Sequence, residues 1–350
     1  MPIPILDRKI RCALIGCGRV AQKHFAALEA LGEDLELVGV CDRDEDALSA
    51  AAYHLGVPGF LDDAVLLTEV KPDLVILATP SALHPEQTMR AARAGAHVMT
   101  EKPMATRWAD AMEMVEVCEE AGVHLFVVKQ IRYNPVLRKL KSAIDERRFG
   151  RIYMVDCNVF WTRPQTYYDS AQWRGTWEYD GGALMNQASH YVDLLPWLIG
   201  PVESVHAFAG PLARHIEVED TGVVSLRWRS GTLGTLAVTM LTYPKNFEAS
   251  MTVLGERGTV RIGGSSCHRV EHWEFDEPRD ETTELDEAME MANSVLRAGH
   301  THYYRDAVAR LRGQAVNVTD GREGLKSLEV IIAAYRSVME DRRVALPFEL

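Results

Sequence analysis

The chain has 350 residues, which is more than one hydrophobic core usually serves, so we expect two domains. Its hydrophobic fraction of 47% and charged fraction of 25% are those of an ordinary globular protein. The formal net charge of −12 argues against non-specific binding to nucleic acid or to an anionic membrane, because both draw on clustered Lys and Arg side chains.

The start of the chain has neither the basic residues nor the cleavage site of a secretory signal, and the sequence contains no apolar run long enough to span a membrane. Six cysteines are scattered without the spacing of a zinc site or a disulfide scaffold. We therefore expect a cytoplasmic protein with reduced thiols that binds neither nucleic acid nor a membrane.

A short motif near the N-terminus indicates a dinucleotide site. An apolar strand that begins at Ile10 enters a Gly-x-Gly-x-x-Ala turn, and a helical pattern leaves it. Gly16 permits the tight turn, Gly18 lets backbone N–H groups approach a pyrophosphate, and Ala21 is small enough for the helix to pack on the strand. The pyrophosphate would then lie at the N-terminus of the helix.

The next strand pattern predicts which dinucleotide is bound. It ends just before Asp42, about twenty residues after the motif, where a carboxylate can bind the adenosine ribose diol. Asp42 would repel a 2′-phosphate, so NAD is preferred over NADP, although neighbouring Arg43 leaves NADP open. Arg19 and Val20 are expected to contact the pyrophosphate through their backbone. The alternative is an ordinary strand-turn-helix whose glycines only make a turn.

Strand and helix patterns alternate as far as residue 128, which predicts a Rossmann-type doubly wound parallel sheet. The turns that follow its third and fourth long strands would meet the cofactor; their candidate residues are Thr79, Ser81, His84, Glu101 and Lys102. His84 has an alternative role, since it could cap the helix that begins near Pro85.

Beyond residue 130 the pattern changes to long alternating strands with few helices, among them 151–162, 202–210, 221–229 and 232–242. This predicts an α+β domain built on a large, mainly antiparallel sheet. We place an NAD-binding domain at 1–128 and a substrate-binding and oligomerisation domain at 129–350. A broad sheet face often serves as an oligomer interface, so a homo-oligomer, either a dimer or a tetramer, is expected.

Four segments together resemble a known family: the Gly16 motif, 79–84, 101–103 and 181–193. They resemble the glucose-fructose oxidoreductase / inositol dehydrogenase (Gfo/Idh/MocA) family. The resemblance implies a Rossmann domain followed by an open-faced antiparallel sheet, and oxidation or reduction of a sugar or cyclitol carbinol with a nicotinamide cofactor.

Segments 126–130, 159–165 and 185–190 resemble a narrower group within that family. Its members oxidise the C3 hydroxyl of a UDP-linked N-acetylhexosaminuronate during synthesis of a diacetylated diaminuronic acid of bacterial surface polysaccharide, and an aminotransferase takes the 3-keto product. This resemblance adds Gln130 to the expected cofactor contacts. Two alternatives remain: a dehydrogenase of a free sugar or inositol, and a non-catalytic dinucleotide sensor.

Lys102 and His190 are the predicted catalytic residues. Lys102 follows a parallel strand at the cofactor-binding edge, so its ammonium can reach the nicotinamide ribose and the reacting oxygen. His190 begins a helix and can accept the hydroxyl proton near neutral pH. The resemblance further implies a cis Lys102–Pro103 peptide. Taken alone, the two residues would more simply be a solvated lysine and a helix-capping histidine.

Asn186 departs from the family pattern, because many members place an aspartate four residues before this histidine. The sequence therefore predicts that His190 lacks the fixed negative partner that an aspartate would supply, and that Asn186 hydrogen-bonds a substrate hydroxyl instead. Gln187 is expected to contact the substrate together with Lys102 and His190. Asp193, on the same helix, is expected to have a structural role.

Arg163 is the candidate for the uronate carboxylate, since a guanidinium can bind it with two parallel hydrogen bonds. Tyr167 leads a group of aromatic residues that could contact the N-acetyl group or uracil, or could pack in the core. Candidates for the diphosphate, each of which could instead be a solvated charge, are Lys129, Arg132 and Lys245. His300-Thr301-His302 lacks an accompanying Cys or carboxylate pattern, so no metal is predicted.

Overall fold

A computed structural model describes residues 2–348, and for residues 293–297 the description covers only the helical backbone. The chain divides into two units. The first comprises Met1–Gln130 and Ala298–Leu325, and the second comprises Ile131–Arg297 and Lys326–Leu350.

The first unit contains a six-stranded parallel sheet in the order β3-β2-β1-β4-β5-β6. Its strands are β1 (Ile10–Ile15), β2 (Leu35–Cys41), β3 (Gly59–Phe60), β4 (Leu74–Leu77), β5 (His97–Thr100) and β6 (Leu125–Val127). The order reverses direction at β1, as in dinucleotide-binding folds, and the prediction of a Rossmann sheet is confirmed.

Five helices connect these strands: α1 (Ala21–Ala30), α2 (Glu45–Leu55), α3 (Asp63–Val70), α4 (His84–Arg93) and α5 (Trp108–Glu120). The side chain of Asp44 caps α2 and that of Asp62 caps α3, each by accepting two backbone N–H groups of the first turn. β4 and β5 are buried along their whole length, and β4 is apolar throughout, as expected of a strand that is covered on both faces.

Residues 298–325 return to the first unit, although the sequence analysis placed all of 129–350 in the second domain. They comprise the C-terminal part of α9 (Thr282–Leu311) and the start of α10 (Gly321–Glu340). Backbone pairing fixes the return, because the Val127 N–H donates to the Thr319 carbonyl at 3.0 Å. Phe126 forms an antiparallel bridge with Asp320. Neither interaction leaves a periodic signal in the sequence.

The second unit contains an eight-stranded sheet in the order β13-β12-β11-β7-β10-β9-β8-β14. Its strands are β7 (Ile152–Phe160), β8 (Val202–Gly210), β9 (Thr221–Trp228), β10 (Leu233–Thr239), β11 (Glu248–Gly255), β12 (Gly258–Gly263), β13 (Arg269–Phe275) and β14 (Val344–Ala345). Every neighbouring pair is antiparallel except β7 and β10, so the predicted mainly antiparallel sheet is confirmed. The unit also contains α6 (Pro135–Asp145), α7 (Gln165–Tyr168) and α8 (Ser189–Ile199).

One face of this sheet carries exposed apolar side chains. The register pairs Leu233 with Met154, Leu254 with Met154, and Phe208 with Val223. Val223 and Arg227 are four positions apart on β9, so their side chains lie on the same face of the sheet. Because Arg227 pairs with Leu233, all five apolar residues lie on that face. We call this set, Met154, Phe208, Val223, Leu233 and Leu254, the open apolar face.

Among the residues that the structure describes, no helix combines the length and apolar character needed to cross a membrane.

Candidate active site

Gly16 is the fixed point of the glycine-rich turn. Its φ is +99°, and a Cβ at this position would lie 2.7 Å from the carbonyl carbon of Ala78. The backbone directly after the neighbouring strand β4 thus leaves no room for a side chain. The positive φ itself also favours glycine.

Gly18 needs another explanation for its small size. It is exposed, and a Cβ built on it would meet nothing within 4 Å among the described residues. The helix α1 that follows also differs from α2 and α3, because no described side chain caps its first turn. A cradle with room for a ligand next to uncapped backbone N–H groups suits a pyrophosphate.

Asp42 directly follows β2, and its carboxylate binds the backbone of the glycine-rich turn. Its Oδ2 accepts the Cys17 N–H at 2.6 Å, and its Oδ1 accepts the Asp44 N–H at 2.9 Å. Each carboxylate oxygen has a second acceptor position, so these bonds are compatible with the predicted contact to a ribose diol. Asp42 therefore orders the turn in addition to its expected role toward the cofactor.

Both ring nitrogens of His84 lie within hydrogen-bond distance of backbone carbonyls of the protein. It is 1% exposed, and its Nδ1 and Nε2 lie 3.0 Å from the Pro103 carbonyl and 2.9 Å from the Thr79 carbonyl. Burial lowers its pKa, against the opposing effect of these backbone bonds. We therefore assign His84 to holding the two turns together, and its contact with the cofactor stays a prediction. Thr79 and Ser81 remain half-buried on the first of these turns.

Glu101 is a buried carboxylate at the end of β5 with two histidine partners. His300 Nε2–H donates to Glu101 Oε1 at 2.7 Å, and His24 Nε2 lies 3.3 Å from the same oxygen. Burial alone would raise the pKa of Glu101, but the hydrogen bonds and charges of both histidines hold it well below its ordinary value. The cluster was not predicted from the sequence, in which His300 belongs to a His-Thr-His segment without an accompanying Cys or carboxylate pattern.

This cluster positions Lys102. Glu101 Oε2 accepts the backbone N–H of Lys102 at 3.2 Å, and the Lys102–Pro103 peptide is cis, as the family resemblance implies. The lysine side chain is half-buried. A buried carboxylate therefore fixes the turn that carries the predicted catalytic lysine.

The donor atoms of His24, Glu101 and His300 lie close enough to hold a metal ion. Two ligands about 2.0–2.1 Å from a tetrahedral zinc ion would be roughly 3.3 Å apart. The 2.7 Å separation of His300 Nε2 and Glu101 Oε1 is instead the length of a charge-assisted hydrogen bond. We interpret the cluster as hydrogen-bonded.

Gln130, the last predicted cofactor contact, is half-buried at the start of a 3₁₀ turn. A Cβ on Gly299 would lie 3.2 Å from its Cβ, so the backbone of α9 passes close to it.

In the second unit, a π-helical turn at Ala183–Gln187 leads into α8. Asn186, Gln187 and His190 all lie on this segment, and all three are half-buried. Asn186 has a carboxylate partner that was not predicted from the sequence. Its Nδ2 donates to the carboxylate of Asp180, which is buried and also accepts the Gly175 N–H at 2.8 Å.

Glu219 is a second carboxylate beneath this segment that sequence analysis missed. Its Oε1 accepts the Leu184 N–H at 2.8 Å and the Tyr335 hydroxyl at 3.0 Å. Burial raises its pKa to about 7, with nearby Asp180 acting in the same direction. A Cβ on Gly182 would collide with the Glu219 carboxylate, which explains the glycine before the π-helical turn.

The structure brings together three of the predicted substrate contacts, Arg163, Tyr167 and Gln187. Arg163 Nε donates to Gln187 Oε1 at 3.0 Å, and Gln187 Nε2 donates to the Tyr167 hydroxyl at 3.0 Å. The Arg163 guanidinium also lies 5.5 Å from the centre of the Tyr167 ring, and that of Arg174 lies 4.4 Å from it. Two cations around one half-buried ring make this a suitable place for an anion.

Of the diphosphate candidates, Arg132 has a different role. Its guanidinium binds both carboxylate oxygens of the fully buried Asp193, at 2.6 and 2.9 Å. This agrees with the structural role expected for Asp193. Lys129 is buried, whereas Lys245 is exposed.

Comparison with known proteins identifies the family. Residues 10–129 match the NAD-binding Rossmann fold of the oxidoreductase family Gfo/Idh/MocA, and residues 141–346 match its C-terminal alpha/beta domain. The chain belongs to the Gfo/Idh/MocA oxidoreductase family. It is therefore an oxidoreductase whose N-terminal domain binds NAD.

Two solved Gfo/Idh/MocA structures match the chain over nearly its whole length. The WlbA dehydrogenase of Bordetella pertussis is 54% identical with a TM-score of 0.97, covering 99% of this chain and 100% of its own. The WlbA dehydrogenase of Chromobacterium violaceum is 57% identical with a TM-score of 0.96, covering 100% and 99%. Both structures contain NADH and UDP-GlcNAcA. D-apiose dehydrogenase of Paraburkholderia graminis is 27% identical, covering 97% of this chain and 90% of its own.

The two glycines of this Gfo/Idh/MocA turn give a matched pair of variants. We expect Gly18→Val to weaken NADH binding at least tenfold while leaving the thermal unfolding midpoint nearly unchanged, because the added side chain enters only the ligand cradle. Gly16→Ala should lower the midpoint, because it collides with backbone. Fluorescence titration with NADH and thermal unfolding measure both effects. Normal NADH affinity in Gly18→Val would contradict the assignment.

Glu219 predicts a pH-dependent stability. Its pKa of about 7 in the folded state exceeds the ordinary 4.5, so the folded state binds the proton more tightly. The contribution of Glu219 to the free energy of unfolding of the wild type should therefore be greatest below about pH 4.5 and fall as the pH rises to about 7. Glu219→Gln keeps the acceptor oxygen but does not titrate. As the pH rises, its free energy of unfolding should gain up to about 3 kcal/mol relative to that of the wild type. Thermal midpoints at about pH 5 and pH 8 test this, and parallel shifts in both proteins would contradict it.

Proposed function

We propose that this protein is an NAD-dependent dehydrogenase that oxidises the C3 hydroxyl of UDP-GlcNAcA to the 3-keto sugar, for synthesis of a diacetylated diaminuronic acid of bacterial surface polysaccharide. The observation that carries the proposal is the similarity, over almost the whole chain, to two WlbA dehydrogenases whose structures contain NADH and UDP-GlcNAcA. The C3 position rests on the sequence resemblance of segments 126–130, 159–165 and 185–190.

The cluster of Arg163, Tyr167 and Gln187 supports an acidic sugar as substrate. Two of the Arg163 nitrogens are oriented by protein acceptors, Nε by Gln187 and Nη1 by the Thr162 carbonyl at 2.7 Å. A guanidinium held in this way is preorganised, so a carboxylate can bind it with little loss of side-chain freedom. A neutral polyol would gain nothing from that charge.

Lys102 and His190 are the residues we assign to proton transfer. Bound NAD supplies the acceptor for the hydride that leaves the carbinol carbon. His190 accepts the hydroxyl proton, and the ammonium of Lys102 stabilises the negative charge that develops on the oxygen. The amide nitrogen of Asn186 donates to Asp180, and we assign its side-chain oxygen to accept a hydrogen bond from a substrate hydroxyl.

The proposal is tested by following NADH absorbance with purified enzyme, NAD and UDP-GlcNAcA, with UDP-GlcNAc and myo-inositol as controls. We expect reduction of NAD with the uronate alone. Lys102→Met and His190→Asn should each lower turnover by roughly 10²–10⁴-fold while retaining NADH binding. Turnover unchanged in both variants would overturn their assignment, and activity on myo-inositol alone would favour a polyol dehydrogenase.

Arg163→Leu separates a uronate from a neutral substrate. The variant should raise KM for UDP-GlcNAcA at least tenfold, because it removes a charge-assisted contact worth roughly 1.5–3 kcal/mol. Its effect on any residual activity toward UDP-GlcNAc should be much smaller. Equal effects on the two substrates would show that Arg163 does not bind the carboxylate. Enzyme that releases bound NADH on denaturation, yet is silent in the assay, would indicate that the cofactor is recycled in place.

We further propose a cytoplasmic location and an aminotransferase as the next enzyme. The six cysteines are free thiols and all are buried, which suits a reducing compartment. A ketone at C3 is the group that an aminotransferase converts to an amine, which the diamino product requires.

The open apolar face is our candidate for a homo-oligomer interface, in a dimer or a tetramer. Five apolar side chains on one sheet face, each more than a third exposed, form a surface that an isolated chain would leave in water. Sedimentation of wild type and of Val223→Arg tests this. A variant with the same oligomeric state as wild type would place the interface elsewhere.

A further inference from the structure

The π-helical turn at Ala183–Gln187 begins with backbone N–H groups that its own sequence cannot cap. The residue at its N-cap position is Gly182, which has no side chain to accept them. The first N–H groups of a helical turn have no partner within the turn, so another part of the chain must supply the acceptors. π-Helical turns are rare and occur frequently at functional sites, so the residues that support this one bear on the site.

Glu219 and Tyr335 supply these acceptors. The Tyr335 hydroxyl accepts the Gly182 N–H at 3.2 Å, and the Glu219 backbone carbonyl accepts the Ala183 N–H at 3.0 Å. Oε1 of the Glu219 side chain accepts the Leu184 N–H at 2.8 Å and also the Tyr335 hydroxyl at 3.0 Å. One residue of the loop before β9 and one residue of α10 therefore cap the start of the turn together.

The Glu219 carboxyl group is buried, and two titratable groups face it. These are Asp180, from the segment before the turn, and Tyr335, from α10. Burial and the charge of Asp180 raise the pKa of Glu219 to about 7. Burial and the charge of Glu219 hold the pKa of Tyr335 well above its ordinary value, so its hydroxyl remains a donor. The neighbouring Asp220 carboxylate binds the N–H groups of residues 212–214 instead.

Ionisation of Glu219 would place two negative charges beside one short turn. The Asp180 carboxylate already accepts Asn186 Nδ2, and its Oδ2 accepts the Gly175 N–H at 2.8 Å. Like charges in a buried site repel strongly, because little water screens them. Uncharged Glu219 keeps the cap without this repulsion, whereas ionised Glu219 disturbs the carboxylate that orients Asn186.

We propose that Glu219 and Tyr335 are positioning residues, and that uncharged Glu219 holds Asn186 and Gln187 in the arrangement that binds the substrate. The inference rests on the proposed function, which makes Asn186 and Gln187 substrate contacts. Both positioning residues act through the backbone of the turn rather than on the reacting atoms. Substrate affinity therefore depends on the protonation of Glu219, while NADH binding does not.

The test compares wild type with Glu219→Gln in steady-state kinetics with NAD and UDP-GlcNAcA. At about pH 8 a group with a pKa of about 7 is only about one-tenth protonated, so the wild-type KM for UDP-GlcNAcA should be roughly tenfold higher than at about pH 6. Glu219→Gln keeps an acceptor oxygen and cannot ionise, so its KM should stay near the wild-type value at the lower pH. The change of kcat with pH should be the same in both proteins, because Lys102 and His190 are unchanged.

Glu329→Gln is the matched control. Glu329 is another carboxyl group of the second unit whose pKa is raised by burial, but it accepts the Phe348 N–H at 2.8 Å rather than an N–H of the π-helical turn. This variant should keep the wild-type dependence of KM on pH. Tyr335→Phe removes the hydroxyl from the cap, and should raise KM for UDP-GlcNAcA severalfold at both pH values while NADH affinity stays unchanged.

Hydrogen exchange measured by mass spectrometry follows the turn itself and needs no reaction. Peptides that cover residues 181–190 should exchange faster in wild type than in Glu219→Gln at about pH 8, and equally fast at about pH 6. Glu219→Ala removes the side-chain cap, so these peptides should exchange faster than in wild type at both pH values. Each comparison is between proteins at one pH, so the intrinsic pH dependence of exchange cancels.

The outcomes separate this inference from the proposed function. Wild-type enzyme that oxidises UDP-GlcNAcA with the same pH dependence of KM as Glu219→Gln would overturn the positioning role and leave the function standing. Wild-type enzyme that does not oxidise UDP-GlcNAcA would remove the proposed function. In that case the exchange experiment alone decides, and equal exchange in wild type and Glu219→Gln at both pH values would remove the positioning role as well.

Discussion

The buried carboxylate of Glu101 is the constraint on which the first unit depends. Its charge is tolerated because His300 and His24 surround one oxygen while the Lys102 backbone binds the other. Removing either histidine would leave a buried anion short of partners, which is far more costly than losing an exposed ion pair. One charge therefore joins α1, the strand β5 and α9, and holds the turn of the predicted catalytic lysine.

The cofactor side of the molecule was predictable because its determinants are local in sequence. The turn at Gly16 and Gly18, the carboxylate of Asp42 and the alternating strands lie within a few tens of residues, and the physical reason for each spacing is known. The parallel sheet followed from these patterns, and the family was indicated by the resemblance of four short segments. The hydrogen bonds of His84 to the Thr79 and Pro103 carbonyls were not predictable, because a motif gives the position of a residue but not the partners of its ring.

The substrate side depends on contacts between distant segments, and these were missed. Glu219 supports the π-helical turn from the loop that precedes β9, and the carboxylate near Asn186 comes from Asp180, six positions earlier and outside the expected helical spacing. His300 is 199 residues from Glu101. Strand β13 was missed as well, because its residues are mostly exposed and do not form an apolar alternation. Such pairings leave no periodic trace in a single sequence.

The return of residues 298–325 to the first unit has a consequence for synthesis on the ribosome. When the segment up to Gln130 has emerged, its sheet still lacks the histidine that pairs with Glu101 and the strand partner of Phe126. Those residues are complete only at Leu325, which at bacterial elongation rates of about 5–20 residues per second arrives roughly 10–40 s later. Until then the edge of the nascent parallel sheet at β6 lacks its backbone partner, and it is in that interval that a chaperone would bind the chain.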